Sequence, residues 1–442
     1  MTHGNGVVTT YSYDPASQLT RLAHQLGVTT INSFDYTYDR VGNRTSKTSR
    51  DGIANYTYDT LNRLLQAVNP LPTNPLESFT YDAVGNRTTS NQNGASTFNA
   101  ANQLTEDSNF TYQYDNNGNL TRKTPKVSGP FTSYEYDAEN KLVRVVTNGT
   151  TINYRYDGLG RRVEKEVINV TTNVTRYIYD NEDILLELDG SNNITARYTH
   201  GPGIDEPLIL EKAGQSFFYH ADGLGSITEI TDSAGVVKQR YTYSSFGKIE
   251  SQLDPSFVQP YTFTAREFDP ETDTYHYRQR QYDWRAGRFN SVDPIGFAGG
   301  INLYVAMRNN PVNSTDPFGD QPQPAPTPQQ LGAPPVAGVP AGVPGSSVQP
   351  SVPNPAAIIN MGNQFLLLQL MRQLSREIEA KVAALGLTID CGKEENFKVC
   401  FSTSHPLGSV VVVREIIFAS GQLTCFNRVI LGRKRCCPLS LP

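Results

Sequence analysis

One motif recurs through the first 180 residues and restricts the fold more than any other feature of the chain. It consists of an aromatic, a spacer, Tyr-Asp, two variable residues, then Gly or Asn ahead of Asn, Arg or Lys and Leu or Arg. It reads YSYDPASQL, YTYDRVGNR, YTYDTLNRL, FTYDAVGNR, YQYDNNGNL, YEYDAENKL, YRYDGLGRR and YIYDNEDIL. The aspartates are Asp14, Asp39, Asp59, Asp82, Asp115, Asp137, Asp157 and Asp180, at intervals of 25, 20, 23, 33, 22, 20 and 23 residues. The long interval holds a decayed copy, FNAANQL, whose Asn99 divides it into 17 and 16. Self-similarity at such a period marks a repeat architecture.

The chemistry of one copy explains its length. Aromatics at alternate positions, as at Tyr134 and Tyr136 or Tyr154 and Tyr156, put two rings on one face of a strand. The aspartate then ends the strand by accepting turn amides, and Gly or Asn takes the positive φ of a tight turn. Stretches such as LVRVVT and RVEKEV begin a returning strand. Each unit is thus a β-hairpin that must stack on its neighbours to bury its aromatic face. The expectation is a mostly β fold, with stacked antiparallel hairpins forming a spiral sheet or partial cocoon. A second reading of the aromatic rows makes them a surface for stacking on a glycan.

Composition agrees with strands and turns. Only 18% of the 442 residues are charged, while Gly, Pro and Tyr number 35, 28 and 24. A net charge of -5 gives no electrostatic reason to expect nucleic acid as a partner. All five cysteines (Cys391, Cys400, Cys425, Cys436, Cys437) fall in the last 52 residues, and none has the spacing of a metal site. Neither a metal nor a cofactor is expected. The N-terminal residues show no signal peptide, and the apolar run near Phe365–Met371 is far too short for a membrane span. Export would therefore use a specialised or non-classical route to the cell surface or exterior.

From residue 217 the pattern changes to FFYHADGLGSITEITDSAGVVKQRYTYSSFG, followed by FTAREFDPETDTYHYRQRQYDWRAGRFNSVDPIGFAGGINLYVAMRNNPVNSTDPFGD. With the repeats, this resembles the RHS/YD-repeat family, which includes bacterial polymorphic toxins, the C component of insecticidal ABC toxin complexes and the teneurins. The resemblance covers residues 7–320. It implies a hollow β-cocoon enclosing a C-terminal effector, closed by a core segment that acts as an intramolecular aspartyl protease. Matched position by position, it puts the two catalytic aspartates at Asp293 (in DPIG) and Asp316 (in DPFG), and the supporting arginine at Arg280. The implied scissile bond is Asp320–Gln321. Toxin members usually carry a large apolar residue where this chain has Asp320.

The bare chemistry is coherent, because two carboxylates held close share a proton, and the pair can activate water and protonate a carbonyl. The competing reading of each Asp-Pro-X-Gly is an ordinary turn, with Pro presetting φ and Gly in the left-handed region.

Residues 321–355 contain eleven prolines and read as a polyproline or disordered tether. Ile358–Leu385 has helical periodicity, and residues 387–442 read as short strands, so a small α+β domain is expected at 356–442. The expected layout is a YD-repeat shell at 1–216, the core at 217–320, the linker at 321–355 and the variable domain at 356–442. The tail's catalytic vocabulary is thin, with His405 its single histidine. The leading function is a shell that encloses or presents its own C-terminal domain and cuts itself free of it. An upstream shell segment and an immunity protein are the further expected partners. The alternative is a non-catalytic surface or secreted interaction module that binds a glycan.

Overall fold

The computed structural model describes residues 1–320 and 322–324, together with the backbone of three strands in the tail. The chain divides into two units, Met1–Gly338 and Val339–Pro442.

In the first unit nearly every strand pairs with the next one in sequence. Nine strands, from Val7–Tyr13 to Gly94–Ala95, form one antiparallel meander, and sixteen, from Thr97–Phe98 to Ile249–Gln252, form a second. The hairpin derived from the repeat is the observed unit. In the copy at Asp137, Tyr134 pairs with Val145, Tyr136 with Leu142, and the register slips by one residue before the turn. The same slip precedes the turns at Asp14, Asp39, Asp59, Asp82, Asp115 and Asp157.

The turn chemistry is uniform. One carboxylate oxygen of Asp39 accepts the amides of Val41 and Asn43 at 3.0 and 2.9 Å. Asp59, Asp115, Asp137 and Asp157 repeat this with the amides two and four residues on. Position four of the loop is left-handed, filled by Gly42, Asn62, Gly85, Gly118, Asn140 and Gly160. This is a type I turn closed by a bulge, which needs a residue that tolerates positive φ. In the decayed copy, Asn99 Oδ1 accepts the amides of Ala101 and Gln103 at 3.0 Å. A side-chain amide therefore serves as well as a carboxylate.

Asp180 departs from the expectation. It pairs directly with Asp183 across a two-residue turn in which Asn181 is left-handed. The amide-capping role falls instead on Asp189, whose oxygen accepts from Ser191 and Asn193. In YIYDNEDIL the left-handed residue comes directly after the aspartate, so the hairpin closes before its carboxylate has turn amides to accept.

The first aromatic of the pair is buried at Tyr36, Tyr56, Tyr112, Tyr134, Tyr154 and Tyr177, and half-buried at Tyr11 of the first copy. The second is half-buried and ties one hairpin to the one before it. Tyr58, Tyr81, Tyr156 and Tyr179 donate to the carbonyls of Arg44, Leu64, Leu142 and Arg162. Rings engaged in this way are packing elements, leaving the glycan reading without an exposed aromatic row among the described residues. In most copies the residue that opens the returning strand is either a buried leucine (Leu19, Leu64, Leu120, Leu142) or a buried arginine (Arg44, Arg87, Arg162).

The core segment folds against this wall as a four-stranded antiparallel sheet: Glu267–Asp269, Thr274–Tyr277, Arg280–Asp283 and Arg288–Phe289. Tyr275, Tyr277, Tyr282 and Phe289 are almost wholly enclosed at its centre. The three arginines at strand starts hold it in place. Arg44 donates to the Val312 carbonyl, Arg87 to that of Arg285, and Arg162 to the carboxylates of Glu267 and Asp269.

In the second unit, Val411–Ala419 pairs antiparallel with Gln422–Leu431, which in turn pairs with Lys434–Arg435. The expected strand pair is present at those positions. The helix at Ile358–Leu385, His405, Cys391, Cys400, Cys436 and Cys437 lie outside the described residues.

Candidate functional site

Arg280 begins the third strand of the core sheet, directly after a turn in which Arg278 is left-handed. Its guanidinium stacks on Phe289, 3.7 Å from the ring centre, between the two Asp-Pro-X-Gly loops. One Nη lies 3.0 Å from Asp293 Oδ2 and 3.9 Å from Asp316 Oδ2. The other Nη donates to the Leu303 carbonyl at 3.0 Å, and Nε donates to the Gly319 carbonyl. The three residues matched from sequence therefore meet at one buried point.

Both loops keep the ordinary turn chemistry as well. Asp293 accepts the Ile295 amide at 3.0 Å, and Gly296 is left-handed. Asp316 Oδ1 accepts the amide of Asp320 at 3.0 Å, and Gly319 has φ +71°. Turn and dyad are compatible readings, because one oxygen of each carboxylate serves the loop while the other faces Arg280.

Gly319 and Gly299 mark how tightly the backbone is drawn in. A Cβ on Gly319 would lie 2.5 Å from the Tyr277 carbonyl oxygen. One on Gly299 would lie 2.4 Å from Asp293 Oδ2 and 3.2 Å from the carbonyl oxygen of Asp320. Asp293 and the Asp320 carbonyl thus share the small space beside Gly299. Beyond Asp320 the chain turns back, and Gln323 and Pro324 pair with Thr315 and Ser314. Arg278 anchors the same hairpin by donating to the Pro317 carbonyl at 2.5 Å. Gln321 lies outside the described residues.

Burial pushes the Asp293 carboxyl above its ordinary range. Arg280 pulls the other way and Asp320 adds to the rise. Burial also lowers the Arg280 guanidinium, against the attraction of Asp293, Asp316 and Asp320. Asp320, which stands where toxin members usually carry an apolar residue, contributes to that field and is only partly buried. Sequence reasoning missed Arg278, Gly299 and the carbonyls of Leu303 and Gly319. The doubled arginine of YRQRQYD was the available signal for the first of these.

The family model described as the teneurin YD-shell matches residues 5–312. The tRNA nuclease WapA of Bacillus subtilis (strain 168) is 34% identical over 316 residues, which is 70% of this chain and 12% of that protein. The double-stranded DNA deaminase toxin A of Burkholderia cenocepacia is 28% identical over 336 residues, covering 68% of this chain and 23% of that one. Among solved structures, the TcdB2–TccC3–Cdc42 complex matches with a TM-score of 0.60 at 24% identity, over 72% of this chain and 18% of that one. A Photorhabdus luminescens Tc holotoxin pore matches with the same score at 22% identity, over 73% and 18%. This chain spans under a quarter of the length of each. The repeats, the core sheet and these matches converge: the chain is an RHS/YD-repeat shell protein and belongs to the teneurin YD-shell family.

Proposed function

We propose that the shell presents or encloses its own C-terminal domain and releases it by intramolecular cleavage of Asp320–Gln321. The observation that carries this reading is the placement of Arg280 against Asp293, Asp316 and the Gly319 carbonyl, one residue before the bond. In the proposed layout residues 1–216 form the shell, 217–320 the core, 321–355 the tether and 356–442 the released domain.

Asp293 is the acid of the pair, since burial raises its carboxyl and it shares the space beside Gly299 with the Asp320 carbonyl. It donates its proton to that oxygen as Asp316 takes one from water. The water oxygen bonds to the Asp320 carbonyl carbon; Asp316 then passes the water's proton to the Gln321 nitrogen as the C–N bond breaks, and Asp293 takes its own proton back as the carbonyl re-forms. Arg280 steadies the negative charge that builds up between the carboxylates and the carbonyl. The products are a new carboxyl terminus at Asp320 and a new amino terminus at Gln321. Pairing of Gln323 and Pro324 with Thr315 and Ser314 would hold the cut ends together until the tether is drawn away.

The toxins named among the relatives point to an effector role for the released domain, secretion or surface display for the whole, and a neutralising immunity protein as partner. A further shell segment upstream fits the short share of each relative that this chain covers. The test is a denaturing gel of the freshly expressed chain beside Asp293→Asn and Asp316→Asn. Two bands in the parent and one in each variant support the proposal; a single band in all three sinks it.

A further inference from the structure

Three of the chain's six histidines converge at one place that the proposed cleavage does not use. His3 comes from the N-terminal loop, His24 from the strand Leu19–Leu26 and His220 from the strand Gln215–Ala221. One nitrogen from each ring lies within 4.8 Å of those of the other two. The ring centres of His3 and His24 are 4.8 and 5.0 Å from that of His220. All three side chains are buried.

Each ring is already oriented through Nε2. His3 Nε2 meets the Thr9 hydroxyl at 3.1 Å, His24 Nε2 donates to the Ala221 carbonyl at 2.9 Å, and His220 Nε2 meets the Thr231 hydroxyl at 2.8 Å; His24 Nδ1 also accepts from the Thr9 hydroxyl at 2.8 Å, a bond that the ion would replace. Liganding histidines are characteristically held this way by their outer nitrogen. His220 Nδ1 is buried with no hydrogen-bond partner, a cost that an interior polar atom rarely bears without reason. His3 and His24 also line an open pocket of about 80 Å³, which leaves room for a water as fourth ligand.

We propose that His3, His24 and His220 bind a divalent transition-metal ion, zinc first, in a three-imidazole site. Imidazole nitrogen suits zinc, copper and nickel and is a poor donor set for calcium or magnesium. Nitrogens around a tetrahedral zinc stand roughly 3.3 Å apart, so small side-chain rotations close the cluster. Burial keeps His3 and His24 neutral, with values lowered to about 4, and holds His220 well below the ordinary imidazole range; the neutral ring is the ligating form. The Asp222 carboxylate, whose charge acts on His24, offsets part of the ion's charge.

The site has a mechanical meaning. The strands from Val7 to Ala95 and those from Thr97 to Gln252 form separate ladders. Where they meet at their far ends, only side chains cross, such as Asn5 to Thr231 and Asn32 to Glu229. A metal on His3, His24 and His220 clips the first hairpin to the strand Gln215–Ala221 and closes that seam.

The test uses the full chain, stripped with a chelator and titrated with zinc chloride. Bound zinc and melting temperature are read for the parent, for His220→Gln and for a variant with all three histidines changed to Gln. The expected result is one more zinc per chain in the parent than in the triple variant, and a zinc-dependent rise in melting temperature that His220→Gln loses. Because the tail's cysteines offer a competing site, the parent is also loaded with cobalt, and absorption without thiolate charge-transfer bands is expected. If a variant fails to fold, as judged by circular dichroism without metal, His3→Gln in the terminal loop replaces it, with affinity expected to fall roughly 10-fold or more. Equal zinc uptake in parent and variant, or cobalt bound only through thiolate, overturns the proposal.

Discussion

Arg162 of the repeat wall donates to Asp269 of the core sheet at 2.6 Å, with both side chains almost completely buried. The same guanidinium reaches Glu267 at 2.8 Å, and Lys165 reaches Asp269 at 3.1 Å. A buried charge stripped of its partner is far more costly than a missing surface pair. Arg162→Met should therefore destabilise the first unit by about 3 kcal/mol or more, read as a lower urea midpoint.

The same network predicts acid sensitivity. Burial would raise the Asp269 carboxyl, but Arg162 and Lys165 outweigh it and hold the group well below the ordinary range. The folded state thus binds that proton more weakly than the unfolded chain. Its stabilisation is present above the ordinary carboxylate range and is lost as the pH falls through the depressed value. Urea midpoints measured down a pH series should fall for the parent and flatten for Asp269→Asn.

Turn aspartates should tolerate amides and resist truncation. Asp39→Ala removes an acceptor from the Val41 and Asn43 amides and should cost about 1–2 kcal/mol. Asp39→Asn should cost less than half of that, because Asn99 already performs the same task. Thermal melts of the two variants decide between a need for charge and a need for an acceptor.

Each second-aromatic hydroxyl should contribute a separable increment. Tyr179→Phe removes the donor to the Arg162 carbonyl, now at 2.8 Å, with loss of about 0.5–1.5 kcal/mol. Combining it with Tyr81→Phe, which acts on a distant hairpin, should give an additive change.

The hairpins, their turns and the left-handed positions were legible because their causes are local: alternate aromatics, a capping carboxylate, a residue that accepts positive φ. Asp180 was misread for a local reason too, since Asn181 takes the left-handed position early and shortens the loop. The dyad was reached only through resemblance; neither composition nor spacing ties Asp293 to Asp316. What could not be read was long-range. Arginine and leucine alternate at one repeat position, yet only the structure shows that Arg44, Arg87 and Arg162 are where the wall grips the core. His3, His24 and His220 were invisible for the same reason, being separated by 21 and 196 residues.

Arg280, Asp293 and Asp316 are proposed to cut the chain they belong to. Intact-mass measurement of the purified protein, repeated across a pH series, tests this most directly. Two polypeptides are expected, one ending at Asp320 and one beginning at Gln321, formed faster toward acidic pH where Asp293 carries its proton, and absent from Asp316→Asn. An undivided 48.8 kDa chain at every pH would contradict the proposal.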